Sequence, residues 1–401
     1  MDDKISTPST KPPARPPPPL PDDLVEQVLI RLPPDDPALL LHAAAVCKDW
    51  CRVVSGAGFH RRLREFHRTA LMLGVLCNFR DEGGHPNNGK QCTRFVPTSP
   101  FRPPVAGHRN WEAVDARHGH VLLNKKSWGY LYSNAFAVWD PIMGEMRELP
   151  PIPGDRGPEV FWRAAVLCAG AGGGACDDDH IDCHHGPFQV VAIIATDYWH
   201  KQVQAYVYSS EAGAWSVPPS QLRHADELLR LAVPSALVEN ALYFGFDAGT
   251  NLLKFDLATQ EMSLIPAPLY LGQRQFVLTT TEGGQLGFAT VAGCKLYLWS
   301  REACSEGDSG WTQSTVIELE KLLPADALFW SPYVVASVYG MGVFLMVTYD
   351  GLYIIDVKAS QVKKICEYTR RPGIFPYMSF SPGTSFLVIY IFKSIMVIHE
   401  P

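Results

Sequence analysis

One segment of the chain gathers many of the residue types that bind metal ions. Residues 168–187, CAGAGGGACDDDHIDCHHGP, contain three cysteines, three histidines and four aspartates. A structural zinc site needs ligand pairs at set spacings on a rigid turn, whereas these residues lie in a glycine-rich stretch between two apolar runs. We therefore interpret residues 170–187 as a flexible acidic insert, and the sequence predicts no metal site.

Acidic residues also recur at one position of a repeated pattern. Asp140, Asp256 and Asp356 each end a short apolar or aromatic run, and Ser209 and Ser300 take the same place in two further runs. Catalytic carboxylates would not recur with a repeat, whereas turn residues do. We interpret these side chains as turn formers that hydrogen-bond their own backbone.

Motifs of the common enzyme classes are missing from the sequence. There is no G-x-S-x-G elbow, Walker loop, H-E-x-x-H helix or dinucleotide-binding glycine fingerprint in a suitable context. The sequence therefore predicts a protein that is not an enzyme and that uses no cofactor.

Composition narrows the range of partners. The chain has 401 residues, of which 35 are basic and 41 acidic, for a net charge of −6 that attracts neither nucleic acid nor an anionic membrane. The C-terminal apolar run over 386–392 is shorter than the roughly 18 residues that a membrane span needs. Ten scattered cysteines without repeated C-x-x-C pairs, and no apolar signal segment, favour the cytoplasm or the nucleus.

From Leu71 onward the sequence is typical of many short strands. Apolar and aromatic runs of four to eight residues alternate with glycine, proline, asparagine and aspartate. Five similar units cover residues 136–150, 205–218, 252–266, 296–319 and 352–365. Their aligned turn residues are 69, 47, 44 and 56 positions apart, and the longest step contains the 170–187 insert. This period predicts a kelch-like β-propeller over residues 71–401, with six blades and with residues 386–391 and 394–400 helping to close the ring.

The first helix is predicted just ahead of this region. Its apolar stripe consists of Leu24, Val28, Leu29 and Leu32. Asp22 or Asp23 is placed to cap the helix, and the spacing from Asp23 to Glu26 is that of a capping box. Pro33 cannot continue the helix beyond residue 32. Residues 1–19, which precede this helix, are rich in proline, and their composition predicts a disordered N-terminal segment, the proline-rich lead.

A second helix is predicted to begin at Pro37, with Asp36 as its cap. One face and its flank carry Leu39, Leu40, Ala43, Ala44, Val46, Cys47 and Trp50. A helical hairpin this short cannot bury so many apolar side chains alone, so it requires a partner surface. The basic run that follows predicts a linker helix over residues 61–70.

In their order along the chain, these residues resemble the F-box family. The family pattern stands here as Leu20-Pro21, Leu24, Val28-Leu29, Arg31-Leu32-Pro33 and Val46-Cys47-Lys48-Asp49-Trp50. The PPDDPALL link resembles plant, especially grass, members. The resemblance covers residues 20–60 and implies a three-helix module that docks on a Skp-type adaptor, which joins a cullin and a RING subunit. The propeller resembles the F-box-associated domain of such proteins.

The resemblance assigns adaptor binding to a defined set of residues. They are Leu20, Pro21, Leu24, Val28, Leu29, Leu32, Pro33, Leu39, Val46, Cys47 and Trp50. The implied function is that of a substrate receptor in an SCF-type ubiquitin ligase, with the propeller binding a target protein. Two alternatives remain open from the sequence: an F-box protein with a non-degradative role, and a propeller enzyme or sugar-binding protein whose helical start is incidental.

Overall fold

The computed structural model describes most of the chain outside its two ends. The described residues are 20–32, 37–56, 58–59, 62–63, 66, 71–80, 91–126, 132–154, 161–169, 186–195, 202–222, 234–245, 251–268, 276–281, 283–301, 310–338, 340–367 and 373–379. The proline-rich lead, most of the Cys/His insert and the predicted closing segments 386–391 and 394–400 lie outside them.

Three helices form the N-terminal module: α1 (Asp22–Leu29), α2 (Pro37–Val46) and α3 (Lys48–Val54). Their shared core consists of Val25, Leu29, Leu40, Ala43, Ala44 and Val54, and Phe59 and Leu63, which follow α3 in the chain, complete it. The three-helix module implied by the resemblance is therefore present, and α2 begins at the predicted proline. Of the predicted linker helix, Arg62, Leu63 and Phe66 are described and helical.

The predicted caps of α1 are wrong. Pro21 occupies the N-cap position and no side chain caps the helix, which ends at Leu29 rather than at residue 32. Asp22 instead pairs with Arg52 of α3 at 2.9 Å, and Glu26 pairs with Arg62. The acidic side chains that the sequence predicted to cap α1 therefore form ion pairs with arginines further along the chain.

The predicted second helix is two helices. Cys47 has extended backbone angles (φ −160°, ψ 166°), and its Sγ accepts a hydrogen bond from the backbone N–H of Trp50 at 3.5 Å. The chain therefore breaks after Val46, and Val46 and Trp50 do not share one helix face. Val46 is 64% exposed, whereas Trp50 packs on the helical core.

The rest of the described chain is a succession of antiparallel strands. The first twelve are β1 (Leu71–Arg80), β2 (Gln91–Pro97), β3 (Gly107–Arg109), β4 (Trp111–Arg117), β5 (His120–Lys126), β6 (Tyr132–Asp140), β7 (Glu145–Glu148), β8 (Phe161–Cys168), β9 (Phe188–Ala195), β10 (Val203–Ser209), β11 (Ala214–Ser216) and β12 (Gln221–Leu222). The others are β13 (Ala236–Val238), β14 (Ala241–Gly245), β15 (Asn251–Asp256), β16 (Met262–Pro266), β17 (Phe276–Thr280), β18 (Leu286–Ala292), β19 (Lys295–Arg301), β20 (Trp311–Glu318), β21 (Tyr333–Val338), β22 (Val343–Val347), β23 (Leu352–Asp356), β24 (Gln361–Cys366) and β25 (Ile374–Ser379).

These strands form six sheets, which are the six blades of a β-propeller. In order from the inner strand outward, blade 1 is β25-β1-β2-β3, blade 2 is β4-β5-β6-β7, blade 3 is β8-β9-β10-β11, blade 4 is β13–β16, blade 5 is β17–β20 and blade 6 is β21–β24. The short strand β12 also belongs to blade 3, where it pairs with β10. The predicted fold, a small helical start followed by a six-bladed propeller, is confirmed.

Blade 1 closes the ring by pairing the two ends of the propeller. Strand β25 pairs antiparallel with β1, so that Leu76 faces Phe375 and Cys77 faces Ile374. Tyr377 of β25 is fully buried, and its hydroxyl donates to the Gly119 carbonyl of blade 2 at 3.0 Å. In the described part of the chain, the closing strand therefore precedes the segments that the sequence suggested for this role.

Apolar side chains fill the space between successive blades. Six buried clusters lie between blades 1 and 2, 2 and 3, 3 and 4, 4 and 5, 5 and 6, and 6 and 1. Each blade thus buries both of its faces against its neighbours, which explains why its strands read as nearly continuous apolar runs. No helix among the described residues is long and apolar enough to cross a membrane.

The recurring acidic residues are turn formers, as predicted. Asp140, Asp256 and Asp356 each end the third strand of a blade. The Oδ1 atom of Asp140 accepts hydrogen bonds of 2.8 and 3.1 Å from the N–H groups two and three residues further on. Asp256 makes the same two contacts at 3.1 Å each, and Asp356 makes one at 2.9 Å. Ser209 Oγ accepts in the same way.

Candidate functional site

Exposed apolar side chains collect on the N-terminal helical module. Leu20 is 59% exposed, Leu24 46%, Val28 59% and Val46 64%. Leu24 and Val28 lie four residues apart, and therefore on one face of α1. The neighbouring positions Val25 and Leu29 are 3% and 2% exposed and face the helical core. Helix α1 thus has two apolar faces, of which one is used inside the module and the other is open.

The energy available from this open face is large for so small a module. Removing an aliphatic side chain from water contributes roughly 1.5–3 kcal/mol when its burial is complete. Leu24 and Val28 thus offer a few kcal/mol to a partner that covers this face of α1. An exposed group of this kind is typical of a protein interface.

Most of the predicted adaptor-binding residues are available to a partner. Those classed as exposed are Leu20, Pro21, Leu24, Val28, Val46 and Cys47, and those half-buried are Leu32, Leu39 and Trp50. Pro33 lies outside the described residues. Leu29 requires a correction, because it is buried in the helical core and contributes to folding rather than to an exposed surface.

Sequence reasoning missed Val25, which is a core residue of the same helix. Its signal was its position four residues before Leu29, which places both on one helix face. The periodicity of Leu24, Val28 and Leu29 was read as one stripe, whereas the structure divides these residues between two faces. When a helix has apolar residues at adjacent positions, its sequence alone does not determine which face packs into the core of the module.

Ion pairs hold the open face of α1 in place. Arg52 of α3 contacts Asp22 at the start of α1, and the Arg62 guanidinium contacts the Glu26 carboxylate at 2.7 Å. The side chains of Asp22, Arg52 and Arg62 are exposed and that of Glu26 is half-buried, and exposed pairs of this kind contribute only about 0.2–1 kcal/mol each. Their main effect is geometric, since they fix how α1 packs on the helices that follow.

A buried carboxylate of the propeller, Asp115, has a structural role. Asp115 of blade 2 is buried, accepts a hydrogen bond from the Val166 N–H of blade 3 at 2.9 Å, and lies 3.3 Å from Arg117. Burial raises its pKa, and the Arg117 guanidinium partly offsets that effect. Arg117 in turn donates to Ser235 of blade 4 at 3.0 Å. The pair links three blades and lies at no open cleft.

Thiols and metal ligands give no catalytic arrangement in the described part of the chain. Burial raises the pKa of the Cys77 thiol, which keeps it protonated and unreactive. Six described cysteines are free, and Cys168 is disulfide-bonded, which the sequence did not predict. Among the described residues there is no group of three or more histidine, cysteine or acidic side chains that would hold a metal ion.

Fold and site together define an F-box protein of the substrate-receptor type, with a helical module that exposes apolar residues and a six-bladed propeller. The family model for the F-box domain matches residues 19–62. The family model described as "F-box protein AT5G49610-like, beta-propeller" matches residues 113–384. The chain belongs to this family of F-box β-propeller proteins.

Other comparisons add little. No curated protein matches the sequence. Among solved structures, the chain is similar to one from a nidogen/laminin complex, with 12% identity, a TM-score of 0.40, and coverage of 75% of this chain and 98% of that one. It is also similar to a fungal alcohol oxidase of the AA5 family, in complex with copper, with 11% identity, a TM-score of 0.39, and coverage of 75% and 66%. Neither likeness bears on function.

Proposed function

We propose that this protein is the substrate receptor of an SCF-type ubiquitin ligase. The observation that carries the proposal is the second apolar face of α1, with Leu24 and Val28 exposed on a module whose core is already complete. In this proposal a Skp-type adaptor covers that face and connects the chain to a cullin and a RING subunit. The match of residues 19–62 to the F-box domain supports it.

The mechanism is proximity, and the receptor itself makes and breaks no bond. The propeller holds a target protein while the adaptor-linked subunits hold the ubiquitin-charged enzyme, so the effective concentration of a target lysine near the activated thioester rises. The described residues contain no metal cluster and the acidic turn residues are used by their own backbone. The proposal assigns the chain no catalytic residue and no cofactor.

The proposed location is the cytoplasm or the nucleus. Six of the seven described cysteines are free thiols, which fits a reducing compartment, whereas the disulfide at Cys168 does not, so the proposal rests on the scattered cysteine spacing of the sequence. The target protein is bound by propeller loops, because loops carry the variable recognition surfaces of a common fold.

The experiment compares two full-length proteins in cells that express a captured partner. One is the natural chain, and the other carries Leu24→Asp and Val28→Asp, which place charge on the adaptor-facing surface and leave the helical core intact. The natural chain should shorten the half-life of the partner in a proteasome-dependent way. The double variant should lengthen it, because it occupies the partner without delivering it.

A half-life that neither protein changes would contradict the degradative role. In that case a non-degradative role of the adaptor-bound protein would replace it. The variant Val217→Asp serves as a matched control, since it introduces the same charge at a valine of blade 3 that is 51% exposed. It should behave as the natural chain does.

A further inference from the structure

Three aromatic residues stand exposed together on the propeller. Phe329 is 78% exposed, Trp330 51% and Tyr349 49%. The ring of Tyr349 lies between the other two, with centroid distances of 4.8 Å to Phe329 and 4.8 Å to Trp330. In the described part of the propeller, these are the only phenylalanine, tryptophan or tyrosine side chains among the exposed large hydrophobic residues. We call them the aromatic patch.

The topology places the whole patch on one face of the ring. Phe329 and Trp330 lie in the connection from β20, the outer strand of blade 5, to β21, the inner strand of blade 6. Tyr349 lies in the turn between β22 and β23, the second and third strands of blade 6. Because successive antiparallel strands reverse direction, these two kinds of connection fall on the same face, opposite the face of the aspartate turns.

Backbone contacts hold the two loops of the patch together. The Tyr349 N–H donates to the Ala327 carbonyl at 3.2 Å, which ties the blade 6 turn to the preceding connection. The Ser331 hydroxyl donates to the Gly293 carbonyl of blade 5 at 2.8 Å. The patch therefore has a defined geometry before any partner arrives, and binding does not have to order it.

The turn beneath Tyr349 is fixed by a carboxylate. Asp350 accepts hydrogen bonds from the Thr348 hydroxyl at 2.8 Å, the Tyr353 hydroxyl at 2.8 Å and the Lys364 ammonium at 2.9 Å. Desolvation raises the pKa of Asp350, but these three hydrogen bonds outweigh it, so the pKa is lowered and the group is charged at neutral pH. The negative charge of Asp350 is balanced by its ion pair with the Lys364 ammonium, so the turn carries no net charge.

The connection that carries the patch is acidic. Residues 318–330 contain Glu318, Glu320 and Asp326 against a single basic residue, Lys321, which forms an ion pair with Glu318. Apart from this pair, the charged residues of the segment are Glu320 and Asp326, so its net charge is negative. Asp326 is exposed and directly precedes Ala327, whose carbonyl accepts the hydrogen bond from the Tyr349 N–H, so it lies beside the Tyr349 turn.

We propose that the aromatic patch is the docking surface for an extended segment of the target protein in which an arginine adjoins an apolar residue. The proposal rests on the proposed function, because it says where a receptor of this kind reads its target. Aromatic rings supply a large rigid contact area, and tryptophan and tyrosine are enriched among residues that dominate binding energy. The charge of Asp326 selects a positive rather than a negative segment.

Arginine fits the patch better than lysine for a physical reason. Its planar guanidinium stacks on an aromatic face, is weakly hydrated and keeps donors free for a carboxylate such as Asp326. A lysine ammonium is compact and more strongly hydrated, so it loses more on leaving water. The rings contact one another at 4.8 Å, so the partner lies over them rather than between them.

The test begins with a displayed library of random twelve-residue peptides selected on the purified full-length chain. The enriched peptides are synthesised with a fluorescent label, and their affinities are measured by anisotropy. We expect sequences with arginine within two positions of leucine, phenylalanine or tryptophan. Phe329→Ala and Trp330→Ala should each weaken binding on the order of tenfold. Asp326→Asn should weaken it by a few-fold.

Matched controls separate the patch from general effects. Val217→Ala removes an exposed apolar side chain of blade 3, and Glu211→Gln removes an exposed charge from the opposite face of the ring. Both should bind the peptides as the natural chain does. Thermal unfolding of every variant should be unchanged, since the altered side chains are exposed.

Four results would overturn the proposal. The first is a selection that enriches acidic peptides or none, and the second is unchanged binding of the enriched peptides to the Trp330→Ala protein. The third is peptide binding only after deletion of residues 1–19, which would make the proline-rich lead the occupant. The fourth is a dimer in sedimentation that Trp330→Ala dissociates, which would make a second copy the occupant. Adaptor capture by the Trp330→Ala protein is measured in parallel, so failure of the patch and failure of the ligase role are distinguished.

Discussion

Closure of the propeller by its last described strand leads to a quantitative prediction at Tyr377. The side chain is 1% exposed, its ring lies 5.8 Å from Phe95 of blade 1, and its hydroxyl bonds the Gly119 carbonyl of blade 2. Tyr377→Phe removes only the hydroxyl and leaves the carbonyl without that donor. We expect a loss of about 1–3 kcal/mol in the free energy of unfolding.

Tyr377→Ala removes the ring as well and leaves a cavity between blades 1 and 2. Deleting a buried aromatic side chain costs about 3–5 kcal/mol, so this variant should be the less stable of the two. Urea unfolding followed by tryptophan fluorescence gives both values. The matched control is Tyr208→Ala in blade 3, where the ring is equally buried but lies away from the closing strand.

Amide hydrogen exchange distinguishes loss of closure from loss of packing alone. In Tyr377→Ala, exchange should accelerate in β1 and β25, which pair across the closure, more than in β9 and β10. Tyr208→Ala should show the reverse. If Tyr377→Ala costs less than about 1 kcal/mol, or if β1 and β25 keep their protection, the closure described above is not what holds the ring together.

Three further predictions concern other parts of the molecule. Leu29→Ala should destabilise the helical module by about 2–5 kcal/mol, because it opens a cavity in the core. Leu24→Ala should change the stability of the module by less than about 0.5 kcal/mol, because Leu24 is exposed. Thermal unfolding measures both effects. Trp215→Phe and Trp311→Phe each remove a hydrogen bond from an indole N–H to a proline carbonyl of the preceding blade, of 2.7 and 2.9 Å respectively. Each variant should lower the free energy of unfolding by about 1 kcal/mol, and the two losses should add in the double variant. Burial, and then the adjacent Asp350 carboxylate, raises the pKa of Tyr353 to about 12 from its ordinary value of 10.0. The contribution of Tyr353 to stability is therefore complete below pH 10 and is lost as the pH rises toward 12. The urea midpoint should fall over that pH range, while absorbance at about 295 nm follows the ionisation of the tyrosine.

Much of the propeller was predictable because each repeat carries its own local signal. Asp140, Asp256 and Asp356 mark the end of a third strand, since an aspartate that accepts from the next backbone N–H groups stabilises a turn regardless of its neighbours. The regular distance between these turns was sufficient to give six blades. The fourth strand and the insert varied in length without hiding that spacing.

The closing strand was not predictable from local signals. Residues 374–379 read as one more short apolar run, and only the pairing with β1, some 300 residues earlier, gives them their role. The same limit applies to Trp215 and Trp311, because each donates its indole N–H to a proline carbonyl of the preceding blade. Contacts between repeats leave no periodic trace in the sequence.

The candidate site shows a similar division. The open apolar residues of α1 followed from the pattern, whereas the number of helices did not, because the predicted second helix breaks at Cys47. The internal face of α1 did not follow either, because Leu24 and Val25 are adjacent and both aliphatic. The aromatic patch was missed for another reason. Phe329 and Trp330 are separated in sequence from Tyr349, and strand-rich sequences usually bury such residues.

The most direct test of the central claim is the affinity of the purified full-length chain for a purified Skp-type adaptor. Titration calorimetry should give a one-to-one complex for the natural chain and for Val217→Asp. The Leu24→Asp and Val28→Asp double variant should bind at least about a hundredfold more weakly, with its helical module still folded. Equal affinity of the double variant and the natural chain, or no binding by the natural chain, would contradict the account.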